Sequence, residues 1–168
     1  DEYVSSISKL MLTLSSPPIV VGHSLGGLLA QLIAAKHPCE KLILLSSAAP
    51  SGINAWRWSV IRTFGHNLLK FPLWKSITNL TSKNIAYGIA NSQSNVITNE
   101  IEKEATLESG RASWQIGMWF LYRKPVSRVN FEKVRCPVLI VGGNKDKVTP
   151  FDVQKKIARK YLHKATLM

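Results

Sequence analysis

Pro18-Ile19-Val20-Val21-Gly22-His23-Ser24-Leu25-Gly26-Gly27-Leu28-Leu29-Ala30 decides the fold of this chain. Pro18 to Val21 is a short apolar, β-branched run that predicts a buried strand over 18–22. Beyond it, Leu28 to His37 is rich in helix formers and stops at Pro38, which predicts a helix over 26–37. The Gly-x-Ser-x-Gly run therefore falls on a strand-to-helix turn. Such a turn holds a serine in a strained backbone conformation and pushes its hydroxyl out at the end of a sheet. Gly22 and Gly26 are both expected where a side chain would clash with crowded backbone. The N–H of Leu25, in the first helical turn, can donate to an oxyanion, and the helix N-terminus adds partial positive charge.

A second stretch matches the first in kind. Val138-Leu139-Ile140-Val141 is an apolar strand, Gly142-Gly143 a small-residue turn, and Asp146 an acid in the loop that leads to Thr149-Pro150. With these two stretches in this order, the chain resembles the α/β-hydrolases. The resemblance spans the chain but is specific only at Gly22–Gly27 and Pro137–Pro150. It implies an α/β fold: a parallel sheet flanked by helices, with a helical cap inserted between two strands. The hydrolase core would be 1–50 and 130–168, and the cap 51–129. The family places several strands ahead of the helix expected over 2–14, and its catalytic histidine after the last strand. The resemblance thus implies an incomplete α/β-hydrolase.

The spacing supports that architecture. Helix 2–14, strand 18–22, helix 26–37, strand 41–46, a mostly helical region over 52–129, strand 137–142, helix 150–162 and a strand from 165 alternate as parallel βαβ units do. Apolar runs such as Leu42–Leu45 and Val138–Val141 predict a sheet covered on both faces. The connection from Leu45 to Val138 is too long for a simple crossover.

Composition sets outer limits. The chain has 168 residues, 45% hydrophobic and 19% charged, with no apolar run near the roughly 20 residues of a membrane span. Cys39 and Cys136 each lie just ahead of a strand and read as small buried hydrophobes, with no disulfide framework and no metal site. No metal-ligand cluster or phosphate-binding glycine loop is present, so no cofactor is implied. The net charge of +12 favours anionic surfaces without choosing among them. No motif for specific nucleic-acid binding accompanies it. A chain that begins at Asp1 shows no legible targeting segment, and its localisation is open, with the cytoplasm as the default.

The cap region is uneven. No acid stands between Ser51 and Asn99, whereas Arg57, Arg62, Lys70, Lys75 and Lys83 alternate with Trp56, Trp58, Phe64, Phe71 and Trp74. Either this is a basic, aromatic lid that makes weak contact with anionic membrane, or its aromatics pack inward and its lysines are solvated. The acids from Glu100 to Glu108 are expected on one exposed helix face. His23, His66, Trp114 and Trp119 are candidate pocket residues.

Ser24 is the candidate nucleophile, which needs a base to take its proton. A serine here excludes relatives with an aspartate nucleophile, so the resemblance implies acyl transfer through a serine ester. Asp146 is the candidate triad acid, holding a histidine tautomer and stabilising the imidazolium. Asp152 has a structural alternative, a capping box with Thr149 at the cap and Pro150 at the first helical position. The base is not evident. His163 precedes the last strand, His37 ends a helix away from the strand tips, and His23 should point away from its neighbour's hydroxyl. The catalytic histidine is therefore expected to be absent from this chain, with half of the oxyanion hole. The function expected is a serine hydrolase acting on a small-molecule or lipid ester or thioester, inactive as this stretch alone. A non-catalytic binding protein, an acyltransferase and a cofactor-free haloperoxidase are alternatives on the same scaffold. Oligomeric state is not legible.

Overall fold

The computed structural model describes residues 2–68, 72–78 and 80–168, without the side chains of His66, Leu68, Leu73 and Thr78. Its strands, in chain order, are β1 (Ile19–His23), β2 (Lys41–Leu45), β3 (Ile77–Thr78), β4 (Glu108–Ser109), β5 (Val138–Val141) and β6 (Ala165–Leu167). Its helices are α1 (Glu2–Met11), α2 (Leu25–Ala34), α3 (Trp58–Leu68), α4 (Ser82–Asn84), α5 (Asn95–Glu104), α6 (Gly110–Gly117) and α7 (Phe151–Lys160). The main sheet has the order β1-β2-β5-β6 and is parallel throughout. Parallel strands require crossovers, and α2 and α7 supply two of them.

The strand sequences place the core. Leu42 pairs with Val138 and Leu44 with Ile140, so four apolar side chains fall side by side on one face. They join Ala30 and Ala34 of α2 and Val153 and Ile157 of α7 in one cluster. Each large aliphatic side chain buried here contributes about 1.5–3 kcal/mol. On the alternate face Ile43, Leu45, Leu139 and Val141 are only half-buried, so cover on that face is less complete than the apolar runs imply. A second cluster joins Val4 of α1 to Leu28, Leu32 and Ile33 of α2 and to Val129. Between α2 and α7 runs a buried polar chain. The Tyr161 hydroxyl donates to Gln31 Oε1 (3.1 Å), and Gln31 Nε2 donates to Ser47 Oγ (2.9 Å). Gln154 accepts from Ser47 N–H (3.1 Å) and donates to its carbonyl (2.9 Å). These bonds satisfy polar groups that burial would otherwise penalise.

Several elements are shorter than expected, each for a local reason. The first helix stops at Met11, because Thr13 turns back onto the Leu10 carbonyl with both its N–H (3.0 Å) and its hydroxyl (2.8 Å). α2 ends at Ala34, where the N–H groups of Lys36 and His37 converge on the Ile33 carbonyl at 2.9 and 2.8 Å. β2 ends at Leu45 because Ser46 adopts φ 42°. α7 begins after Pro150 with no side-chain cap, so the capping box expected from Thr149 and Asp152 does not form. Asp152 instead pairs with Arg57, and with Lys156 at 3.5 Å. The acids from Glu100 to Glu108 do not share one helix face either. α5 ends at Glu104, and Glu108 lies in the small β3-β4 ribbon.

Cys39 and Cys136 stand at the starts of β2 and β5 with their sulfurs 3.4 Å apart, both as free thiols. Burial, and then the neighbouring Cys136 thiol, push the Cys39 thiol up to about 12.

The long connection between β2 and β5 holds α3 to α6 and the ribbon. Its two ends meet where Ser51 N–H donates to the Ser127 carbonyl at 3.0 Å. Lys70 and Phe71, part of the basic and aromatic series of the cap, lie outside the described residues. Of the other aromatics, Trp56 donates to the Gly117 carbonyl (2.9 Å), Trp74 packs on Trp114 with ring centroids 5.0 Å apart, and Trp58 is 74% exposed.

Candidate active site

Ser24 makes the strand-to-helix turn on its own: β1 runs to His23 and α2 begins at Leu25. Its backbone sits at φ 50°, ψ −120°. A non-glycine residue held so costs on the order of 1–3 kcal/mol, and the surroundings must enforce it. They do so through hydrogen bonds. Ser24 N–H donates to the Leu45 carbonyl (3.1 Å), while its own carbonyl accepts from Ala48 N–H (2.8 Å) and Gly27 N–H (3.0 Å). The end of β2 thus grips the serine from both sides.

Glycine is required at two positions here. A Cβ on Gly22 would collide with the Gly26 carbonyl oxygen and come within 2.8 Å of Ala30 Cβ. A Cβ on Gly27 would meet Ser47 Oγ at 2.6 Å. Gly26 differs from expectation: a Cβ there meets nothing within 4 Å. The crowding falls on Gly26's carbonyl, not on its α-carbon.

Ser24, Leu25 and Asp146 line one cavity of about 700 Å³ between the sheet ends and the cap. Its cap side is largely apolar, with Trp56, Phe64, Trp114 and Trp119 among its lining residues. Leu25 opens α2, so its N–H has no carbonyl one turn back within the helix and is left to bind a ligand or water.

Asp146 lies in the loop after β5, half-buried. Its Oδ1 accepts from Val148 N–H and Thr149 N–H, both at 2.8 Å, and its Oδ2 accepts from the Thr149 hydroxyl at 2.9 Å. Burial pushes this carboxyl up. The Thr149 amide, the Ser46 hydroxyl, the Val148 amide and the Thr149 hydroxyl outweigh it, and the net shift is downward. Asp146 is therefore a fixed anion at neutral pH. The Thr149 hydroxyl also lies 3.0 Å from the Ser46 carbonyl, which ties the acid loop to the end of β2.

His23 lines the cavity and is exposed; Trp114 and Trp119 line it too. The side chain of His66 lies outside the described residues. His37 pairs with the Ser8 hydroxyl at 2.9 Å, away from the cavity. His163 is exposed in the short turn Leu162–Lys164 before β6. No set of three or more His, Cys, Asp or Glu side chains that could hold a metal ion occurs among the described residues. Among these residues no helix is long and apolar enough to cross a membrane.

Sequence reasoning missed the partners of Asp146. The Asp-x-x-Thr spacing is a local signal for an acid that folds back on the backbone two and three residues ahead, and it was available. The contribution of Ser46 was not, because it comes from a different strand end.

The model of the "Alpha/beta hydrolase family" matches residues 1–167. Curated protein sequences gave no match. Among solved structures, the chain is similar to polyneuridine aldehyde esterase at 15% identity and TM-score 0.63, covering 99% of this chain and 69% of that one. It is similar to a monoacylglycerol lipase of Paleococcus ferrophilus at 17% identity and TM-score 0.64, covering 99% and 63%. A bromoperoxidase from Bacillus anthracis is similar at 18% identity and TM-score 0.63, covering 98% and 64%. The chain therefore spans between 63 and 69% of the lengths of these three structures.

Proposed function

This chain belongs to the alpha/beta hydrolase family, and from that premise we propose that it carries the nucleophile, acid and cap of a serine hydrolase acting on a carboxylic ester, thioester or lipid. The observation that supports this most is the backbone of Ser24, held at φ 50° on a cavity that Asp146 also lines. Strain of this kind persists where a fold enforces it, and here it falls on a serine that lines a largely apolar cavity.

On this reading Ser24 Oγ attacks the acyl carbon and gives its proton to an imidazole. The carbonyl oxygen becomes an oxyanion facing the Leu25 N–H. Collapse of the tetrahedral intermediate breaks the bond to the alkoxide or thiolate, which takes the proton from the imidazolium. Water, deprotonated by the same imidazole, then attacks the acyl-serine; the acyl–Oγ bond breaks, Ser24 Oγ takes the proton back from the imidazolium, and the carboxylic acid is released. Asp146 is ionised throughout and stabilises the imidazolium. His37 and His163 are off the cavity, His23 adjoins the nucleophile along the backbone, and the side chain of His66 lies outside the described residues. Neither His37 nor His163 can act as that imidazole from these positions, and this stretch alone is expected to show no esterase turnover.

The test is covalent labelling. In a polypeptide carrying the complete reading frame, a fluorophosphonate probe is expected to modify Ser24, and Ser24→Ala to remove the modification. Equal labelling of the mutant would overturn the assignment.

A further inference from the structure

Both residues that flank Asp146 are held by the cap. On its N-terminal side, Asn91 Nδ2 donates to the Lys145 carbonyl at 2.6 Å. On its C-terminal side, Lys147 Nζ donates to the Tyr87 carbonyl at 3.1 Å and lies 4.2 Å from the centre of the Tyr87 ring. The Arg62 guanidinium, from α3, lies 4.0 Å from the same ring centre. Tyr87 and Asn91 belong to the stretch around the π-helical turn Ile85–Ile89. Asn91 adopts φ 53°, a conformation that asparagine tolerates better than most residues, and this turns its backbone out of the helix.

These contacts are long-range, crossing from cap to core: one falls on the peptide carbonyl just before Asp146, the other on the side-chain ammonium of the residue just after it. The loop's remaining ties are to the core: the Thr149 hydroxyl to the Ser46 carbonyl, and Gly142 N–H to the Met168 carbonyl at 3.0 Å. Ties from the cap on one side and the sheet on the other restrict how far this short loop can tilt, so cap and sheet both bear on the direction of the Asp146 carboxylate.

We propose that the cap clasps the acid loop through Asn91 and Tyr87, which are positioning residues for Asp146. The clasp couples the seating of the cap over the cavity to the orientation of the acid. This rests on the serine-hydrolase reading for its catalytic consequence but not for its structural one. Misplacing a catalytic group by about 1 Å costs on the order of 100-fold in rate. The Lys147–Tyr87 contact joins a backbone bond to a cation over a ring, which arginine can reproduce and methionine cannot.

The experiment uses the polypeptide with the complete reading frame and the double variant Asn91→Gly, Lys147→Met. Glycine keeps the left-handed backbone at 91 and deletes only the amide. Two readouts are taken. Hydrogen exchange at the Val148 and Thr149 amides is expected to accelerate about tenfold while exchange in β2 and β5 is unchanged. Turnover of an activated ester is expected to fall on the order of 10- to 100-fold in kcat with KM nearly constant, and Lys147→Arg in place of Lys147→Met to recover much of it. Unchanged exchange in a folded double variant overturns the clasp, whatever the kinetics. Faster exchange with unchanged kcat overturns the positioning role, provided Ser24→Ala abolishes turnover. If Ser24→Ala retains turnover, the serine assignment fails, and the exchange result still decides the clasp.

Discussion

A Cβ placed on Gly22 would collide with the carbonyl oxygen of Gly26, whereas one placed on Gly26 would meet nothing within 4 Å. The two glycines of the turn are therefore not equivalent. Gly22→Ala forces apart β1 and α2 at the point where Ser24 is strained, and is expected to cost more than about 3 kcal/mol or to prevent folding. Gly26→Ala fills open space near the start of a helix and is expected to be neutral or to stabilise by about 0.4–1 kcal/mol. Thermal unfolding of the two variants side by side is the check. Similar losses in both would contradict the geometry of the turn.

Ser24 carries the strain, so relieving it should be measurable. Ser24→Gly removes the side chain that disfavours φ 50°, ψ −120°. Strain of about 1–3 kcal/mol is offset in part by the extra unfolded-state freedom of glycine, about 0.4–1 kcal/mol. The variant is expected to unfold about 1 kcal/mol later than the parent while losing all fluorophosphonate labelling. A loss of stability would show that the Ser24 side chain makes contacts that outweigh its backbone cost.

The sheet and its strand-to-helix turn at Ser24 were legible because their signals are local. β-branched runs, a glycine at a crowded turn and a helix stopped by Pro38 all act within a few residues. Element ends were less legible. Thr13, Ser46 and Pro150 each stop or delay an element through a turn geometry that hydrophobic periodicity does not report. The surroundings of Asp146 were legible only in part. Its bonds to Val148 and Thr149 follow from spacing, while Ser46, Asn91 and Tyr87 reach its loop through the fold. The role expected of Thr149 in capping α7 failed for the same reason. Its hydroxyl is taken by Asp146 and the Ser46 carbonyl.

The carboxyl of Asp146 is shifted downward in the fold, against the upward push of burial, by the amides and hydroxyls it accepts from. A depressed carboxyl stabilises the fold at pH values above its unfolded value, about 3.9, and that contribution is lost as pH falls through the folded value. Asp152 shifts the same way: its partial burial opposes the shift, and Arg57 and Lys156 produce it. The parent is therefore expected to lose melting temperature between pH 5 and pH 3 (roughly). Asp146→Asn keeps the shape but not the charge, so it should melt below the parent at pH 6 and converge on it in acid. A gap that stays constant with pH would mean that the charge of Asp146 adds nothing to the fold.

Among the described residues β1 is the outer strand of the sheet, paired with β2 on one side only, and Ile19 and Val21 are 48% and 57% exposed on it. An apolar strand with one unpaired edge is a template for another strand. The net charge of +12 opposes self-association by mutual repulsion, but repulsion is screened by salt whereas apolar pairing is not. The 168-residue chain is therefore expected to be most dispersed at low ionic strength and to associate as salt rises towards about 0.5 M, where the screening length has fallen below about 8 Å. Val21→Lys places a charge on the exposed edge and should suppress the association, at little cost to stability because the side chain is already more than half exposed. Sedimentation velocity across a salt series, on the parent and on Val21→Lys, separates the two forces. A parent that stays monomeric at every salt concentration would show that the edge is not sticky. Equal association of parent and variant would place the contact elsewhere, and the half-buried face of Ile43, Leu45, Leu139 and Val141 would be the next surface to probe.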